Sequence, residues 1–127
     1  MKFSINKDKL QSLLIEHQKV VPIRTTLPVL SCALLIIEKT KLTIKTTDLE
    51  QTILSTVDIQ DEKEGKICIP MSRFYEIIAA LPNEIIKITT NDDNLIEIKS
   101  NQGVYKITGR PVEEFPSSKE ETNKEIF

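Results

Sequence analysis

The chain is short of most of what builds a reactive site. Its 127 residues include one histidine, three glycines and two cysteines. The lone histidine, His17, has no second imidazole with which to share a metal and no nearby cysteine or serine pairing in the sequence, so a packed, hydrogen-bonded residue is expected rather than a catalytic one. The three glycines are isolated and form no phosphate-cradling loop. Cys32 and Cys68 stand far apart, without metal-ligand spacing, and read as small core residues of strands. Unpaired thiols point to the cytoplasm. No apolar stretch approaches the roughly 20 residues of a membrane helix. The N-terminus opens on a strand pattern, so no secretory signal is expected. Neither sign of charge dominates. Seventeen Lys and Arg stand against nineteen Asp and Glu, a net of −2, which argues against gripping nucleic acid by bulk charge. No site for acyl, phosphoryl or hydride transfer can be assembled. The expectation is a non-enzyme with no metal and no cofactor.

What the chain does have is a unit used twice. Lys2-Phe3-Ser4-Ile5 runs into a helical pattern from Lys7 to about Lys19, and Lys66-Ile67-Cys68-Ile69 into another from Met71 to Leu81. The first helix places Leu10, Leu13, Leu14 and His17 on one stripe. The second places Phe74, Ile77, Ile78 and Leu81 at the same spacing, 64 residues on throughout. Each copy is followed by short alternating segments that read as strands. A repeated unit of this kind marks a pseudo-symmetric domain, and suggests a surface for assembly rather than one catalytic pocket. The fold class expected is α+β: two βαβββ units, with the two helices side by side on one face of antiparallel sheets.

The remaining elements follow from local signals. Asn6 is the expected N-cap of the first helix, which ends before Pro22. Val29 to Ile37 reads as a largely buried strand, Lys39-Thr40 as a hairpin turn, and Lys41 to Thr46 as an alternating strand with Leu42 and Ile44 inward. Leu49 to Ile59 reads as the next strand, with Ile53, Ser55, Val57 and Ile59 on one face. Asp61 to Gly65 reads as a charged loop. In the second copy Leu81-Pro82-Asn83 stops the helix. Ile85 to Thr90, Leu95 to Lys99 and Val104 to Thr108 are strands joined by turns at 91–94 and 101–103. One domain is expected over 1–116, and a partly disordered charged linker over 117–127. Residues 113–127 hold five Glu and two Lys, which leaves the rest of the chain at a net of +1.

Few residues invite a chemical role. Asp48 and Glu50 flank Leu49, and paired carboxylates can hold Mg²⁺ for nuclease chemistry; a turn Asp beside a solvent-facing Glu is the plainer reading. Asp92-Asp93-Asn94 resembles part of a calcium loop but lacks its glycine and terminal glutamate, and fits a hairpin turn. Arg24 stands just past a helix, beside Thr25 and Thr26, in a setting that suits a phosphate. Lys9, Ser12, Glu16 and Lys19 form a polar, mixed-sign helix face.

Taken together, Met1-Lys2-Phe3, Arg24-Thr25-Thr26-Leu27-Pro28-Val29-Leu30, Thr47-Asp48-Leu49-Glu50, Ile69-Pro70, Ala80-Leu81-Pro82 and Glu114-Phe115-Pro116 resemble the first domain of the bacterial DNA polymerase III beta subunit, the sliding clamp. The resemblance implies the DNA clamp fold and a non-catalytic processivity subunit. Three such domains form a subunit, and two subunits close head to tail around duplex DNA. It implies DNA contact by Arg24. It implies a second contact at Ser72, where the family carries a basic residue that serine cannot replace in charge. It implies a subunit interface at Arg73, Ile77, Leu81, Gln102, Val104, Tyr105 and Ile107, with plain core roles equally open for Ile77 and Leu81. Replicative polymerase and clamp loader would bind through domains this chain lacks; no membrane partner is implied. Two rivals stand beside it: a free-standing clamp-like module acting as decoy or cap, and a Mg²⁺-dependent nuclease using Asp48 and Glu50.

Overall fold

The computed structural model describes residues 1–22, 25 and 27–116. In chain order its elements are β1 (Lys2–Asn6), α1 (Lys7–Gln18), β2 (Cys32–Glu38), β3 (Lys41–Thr47), β4 (Thr52–Asp58), β5 (Gln60–Lys63), β6 (Gly65–Pro70), α2 (Met71–Ala80), β7 (Ile85–Thr90), β8 (Leu95–Ser100) and β9 (Gly103–Thr108). Short 3₁₀ turns cover Pro28–Ser31 and Val112–Glu114.

The helices start and stop where local chemistry requires. The Asn6 side chain accepts a hydrogen bond from the Lys9 amide at 3.2 Å, satisfying one orphan donor of α1. Leu10, Leu14 and His17 then fall on one buried face. In α2 the buried set is Met71, Phe74 and Ile78. The helix ends at Ala80 because Leu81, which precedes Pro82, is held in an extended conformation. The helices pack against each other, and Gln11 Nε2 donates to Tyr75 Oη at 3.5 Å. Those two residues are themselves 64 apart, so the contact joins equivalent points of the two copies.

The copies are interlocked rather than adjacent. The five-stranded sheet runs β5-β1-β7-β8-β9 and the four-stranded sheet β4-β3-β2-β6. Each unit's first strand therefore completes the other unit's meander: Phe3 pairs with Ile88, and Ile67 with Leu35. The symmetry reaches the sheet margins. Ser4 of β1 pairs with Gln60, and its equivalent Cys68 of β6 bridges to Arg110.

The main core lies between the helices and the sheets, with Phe3, Leu10, Leu14, Leu42, Ile44, Phe74 and Ile78 fully buried. A second, smaller cluster of Val29, Cys32, Leu34, Cys68 and Phe115 sits on the far side of the four-stranded sheet. Phe115 closes it, and the Lys45 ammonium lies 5.7 Å from that ring's centroid. The closing segment passes so near β6 that a Cβ on Gly109 would fall 2.5 Å from the Cys68 carbonyl oxygen. Gly109→Ala should therefore destabilise the domain by about 1–3 kcal/mol and expose Cys68 to a thiol reagent. Unchanged thermal unfolding and a silent Cys68 would contradict this.

Three expectations are corrected. Pro28–Ser31 is a 3₁₀ turn rather than strand, since Leu30 N–H donates to the Leu27 carbonyl and Ser31 Oγ to the Pro28 carbonyl. Strand β4 begins at Thr52, not Leu49, because Asp48 Oδ1 accepts from the Glu50 and Gln51 amides and Leu49 turns at φ 81°. Gln60–Lys63 is a strand, not a loop, held by the open edge of β1. The expected linker 117–127 lies outside the described residues.

Candidate functional site

Two surfaces carry the residues singled out by sequence. The first is the exposed side of the paired helices. Its charges alternate and partly satisfy one another: Lys19 Nζ is 3.1 Å from Glu16, Lys7 Nζ is 3.6 Å from Asp8, and Ser12 Oγ donates to the Asp8 carbonyl. Exposed Arg73 and Glu76 on α2 continue the mixture. Ser72 is exposed in the first turn of α2, where no side chain caps the helix. The amides of that turn are left to solvent or to an anion. Ser72, Gln18, Val21, Pro22, Ser31 and Met71 line an open groove of about 400 Å³ between the end of α1 and the start of α2. Arg24 lies outside the described residues. Beside it, Thr25 Oγ1 accepts from the Leu27 amide at 3.0 Å.

The second surface is the edge formed by α2 and β9. Among the described residues β9 has no partner strand on its outer side. Val104 is exposed on the strand, Gln102 is exposed in the turn before it, and Arg73 is exposed on the neighbouring helix. Ile77 and Tyr105 are half-buried, packed on the rim of the main core. Leu81 and Ile107 belong to that core, at 3% and 6% exposure. The surface this edge offers is therefore Arg73, Ile77, Gln102, Val104, Tyr105 and the unpaired backbone of β9. The bare strand edge was not singled out from sequence; its signal was the position of β9 as the last strand of a meander, with nothing after it to pair.

The remaining candidates have structural roles. His17 is buried, with Nδ1 2.7 Å from Thr46 Oγ1 and Nε2 2.9 Å from Ser55 Oγ, so its ring pins α1 to β3 and β4. Burial lowers its pKa to about 4, with Glu16 opposing weakly. Burial likewise pushes the Cys68 thiol up to about 12 and raises that of Cys32, which suppresses the reactive thiolate. The Asp48 carboxylate is spent on its turn, where the Gln51 and Glu50 amides hold it below the usual range. Asp92 and Asp93 lie in the β7–β8 turn, where Asn91 Oδ1 accepts from the Asp93 and Leu95 amides. Among the described residues no three His, Cys, Asp or Glu gather as metal ligands. No helix of the described residues is long and apolar enough to cross a membrane.

Two strand–helix units that exchange strands, with helices paired on one side and a bare strand edge beside them, define a sliding-clamp domain. Solved beta clamps share its two helices and two antiparallel sheets. The crystal structure of DNA polymerase III subunit beta from Pseudomonas aeruginosa superposes with a TM-score of 0.88 at 30% identity, covering 94% of this chain and 32% of that one. A Helicobacter pylori beta clamp, solved bound to a DNA ligase peptide, gives 0.87 at 29% identity over 93% of this chain and 33% of that one. By sequence, the beta sliding clamp of Pseudomonas aeruginosa is 31% identical over 121 residues, and that of Chlamydia muridarum 29% over 116. Residues 1–119 match the family described as DNA polymerase III beta subunit, N-terminal domain, and the chain belongs to that family. It spans about a third of the length of these relatives, 94% of its own residues against 33% of the Pseudomonas protein's.

Proposed function

We propose that this chain serves as the first domain of a DNA sliding clamp, a cytoplasmic, non-catalytic ring that encircles duplex DNA and keeps the replicative polymerase on its template. The observation that carries this is the match of residues 1–119 to the clamp family, on a fold whose paired helices present a polar, nearly neutral face. Near neutrality suits sliding, because strong phosphate pairing would hold the ring in place. In this reading Arg24 and the groove at Ser72 meet the duplex lightly. The edge of α2 and β9 meets the second subunit, with Arg73, Ile77, Gln102, Val104 and Tyr105 at the contact and Leu81 and Ile107 supporting it from within. A chimera tests the proposal: this chain replaces the first domain of a full-length relative, and primer extension is measured. Retained processivity is expected. A ring that closes and loads but gives no processivity would overturn it.

Polymerase, clamp loader and ligase-type peptides would be bound by the two further domains of such a ring. The isolated chain should therefore show no binding to the DNA ligase peptide held by the Helicobacter pylori clamp. Saturable binding in a titration would relocate the peptide site to this domain.

Tyr105→Ser tests the edge assignment. Tyr105 is half-buried and shares the inward face of β9 with Ile107. The isolated chain should associate weakly with rising concentration, and the substitution should remove that association while lowering Tm by only a few degrees. Sedimentation and thermal unfolding of the one variant decide it. A large loss of Tm with association unchanged would make Tyr105 a core residue and nothing more.

A further inference from the structure

The densest positive charge of this acidic chain is not on its helices. The core-facing residues of the five-stranded sheet are Phe3, Ile5, Ile86, Ile88, Ile96, Ile98 and Ile107. The alternate positions form the opposite face, and the register lays them out in two rows. One row runs Lys63, Lys2, Thr89, Glu97, Lys106, and the other Gln60, Ser4, Lys87, Lys99, Val104. Five lysines and one glutamate thus share a single flat face in a chain of net charge −2. Other nearby carboxylates stand at its margins: Asp92 and Asp93 in the β7–β8 turn, Asp61 and Glu62 on the edge strand β5, and Glu84 before β7.

Two of the pairings are unfavourable. Lys87 stands directly across from Lys99, and Lys2 across from Lys63. Like charges at directly opposed positions weaken a sheet. Opposed unlike charges also occur: on the same face Lys106 stands across from Glu97, and elsewhere Lys41 opposes Asp58 on β3 and β4, the latter two forming an ion pair at 2.7 Å. Among the residues whose side chains are described, Asp61 not being one of them, none of the five lysines is within ion-pair distance of a carboxylate. A shallow hollow of about 380 Å³ opens between Lys87 and Lys99, floored by Ser4, Ile85 and Ile86. The lysine pairs bear a cost that an anion lying across them would remove.

We infer that this outer face of the five-stranded sheet is a second nucleic-acid surface, which holds the phosphate backbone of duplex DNA on the side of the domain away from the helices. The face has no aromatic side chain, so it offers no stacking platform for single-stranded bases. It has no arginine for bidentate base contacts and no groove to admit a base edge, so it contacts backbone by charge alone. Strands about 4.8 Å apart place β5 and β9 roughly 19 Å from each other, a width that spans about five to six base-pair steps of 3.4 Å. An acidic polypeptide would instead seek apolar anchors at the centre of its footprint; here the exposed apolar residues, Ile85 and Val104, lie at the rim. The surface goes beyond the clamp function proposed above and does not require ring closure, so the chimera experiment and the one below fail independently.

The test uses the whole chain and a labelled duplex of about 30 bp at low salt, titrated up to about 200 mM. The double reversal Lys87→Glu with Lys99→Glu keeps a like-charge pair and should leave Tm unchanged. It should reduce duplex binding at least tenfold. Lys87→Gln with Lys99→Gln should lower the slope of log affinity against log salt by about two. Reversal of Lys9 on α1 and Lys19 at its C-cap should leave most of the binding intact. Binding that survives the sheet variants and is lost with the helix variant would overturn the assignment. So would tighter binding to poly-glutamate, or to phosphatidylserine vesicles, than to the duplex, which would give the face to an acidic polypeptide or to a membrane surface.

Discussion

Phe74→Ala should destabilise the domain by about 3–5 kcal/mol. Phe74 is fully buried in the middle of α2, among the largest enclosed side chains of the main core. Its removal leaves a cavity in the main core, whose sheet strands are fixed by their own ladders and resist collapse. Against a net stability of about 5–15 kcal/mol for a domain, this is a large share, and Tm should fall by more than about 10 °C. Leu10, its equivalent 64 residues earlier, is just as buried, and Leu10→Ala should cost about 2–5 kcal/mol. Thermal unfolding followed by circular dichroism checks both. A shift below about 3 °C for Phe74→Ala would mean that the two helices are not seated on a common core.

Mild acid should destabilise the domain through His17. The folded state holds this imidazole neutral, with a pKa lowered to about 4 by burial, while the unfolded chain takes up its proton near 6.5. Stability from this group is therefore complete above pH 6.5 and is lost as pH falls from there through 4, with no further loss below. Over the whole window the amount is about 3 kcal/mol. Of the other lowered groups, Asp48 and Asp58 start from carboxylate values of 3.8 and act only below that window, while the Met1 amine, lowered by burial from 8.0, begins to act above it. Urea unfolding at pH 7 and pH 4.5 measures the difference. His17→Leu should flatten the dependence between those values, because leucine does not titrate, and should lower stability at pH 7 by leaving the buried Thr46 hydroxyl without its ring partner. An unchanged pH slope in that variant would assign the acid sensitivity elsewhere. The second copy does without such a polar tie: the residue equivalent to His17 is Leu81, which packs into the core.

These two residues also show how far the sequence could be read. The stripes through Leu10 and Phe74 were visible because helix periodicity repeated at a fixed offset. The hydrogen-bonded role of His17 followed from its place on an apolar stripe, although nothing local named Thr46 and Ser55 as its partners. What escaped was decided by tertiary context or by turn chemistry. Gln60–Lys63 is polar throughout and reads as loop; it is a strand because the backbone edge of β1 lies open beside it. Such charged edge strands discourage pairing with other chains. Leu49 sits at positive φ because Asp48 caps the turn around it, and the run of apolar residues from Val29 hid a proline-started turn. Among the site residues, Ser72, Arg73, Gln102 and Val104 are exposed where a surface role needs them. Sequence alone could not separate Leu81 and Ile107 from that group, since edge and core positions share the same alternation.

The exchanged strands also set an order for biosynthesis. Lys2 pairs with Thr89, and β2 cannot gain its second neighbour until β6 has been made. A ribosome therefore releases most of the chain before either sheet is complete, and the first strand waits, apolar face uncovered, for residues near the far end. Contacts so distant in sequence slow folding and lengthen exposure to aggregation. The same exchange makes the halves mutually dependent. Cut between Glu64 and Gly65, neither piece holds a complete sheet: the first lacks β6 beside β2, and the second lacks β1 and β5 beside β7.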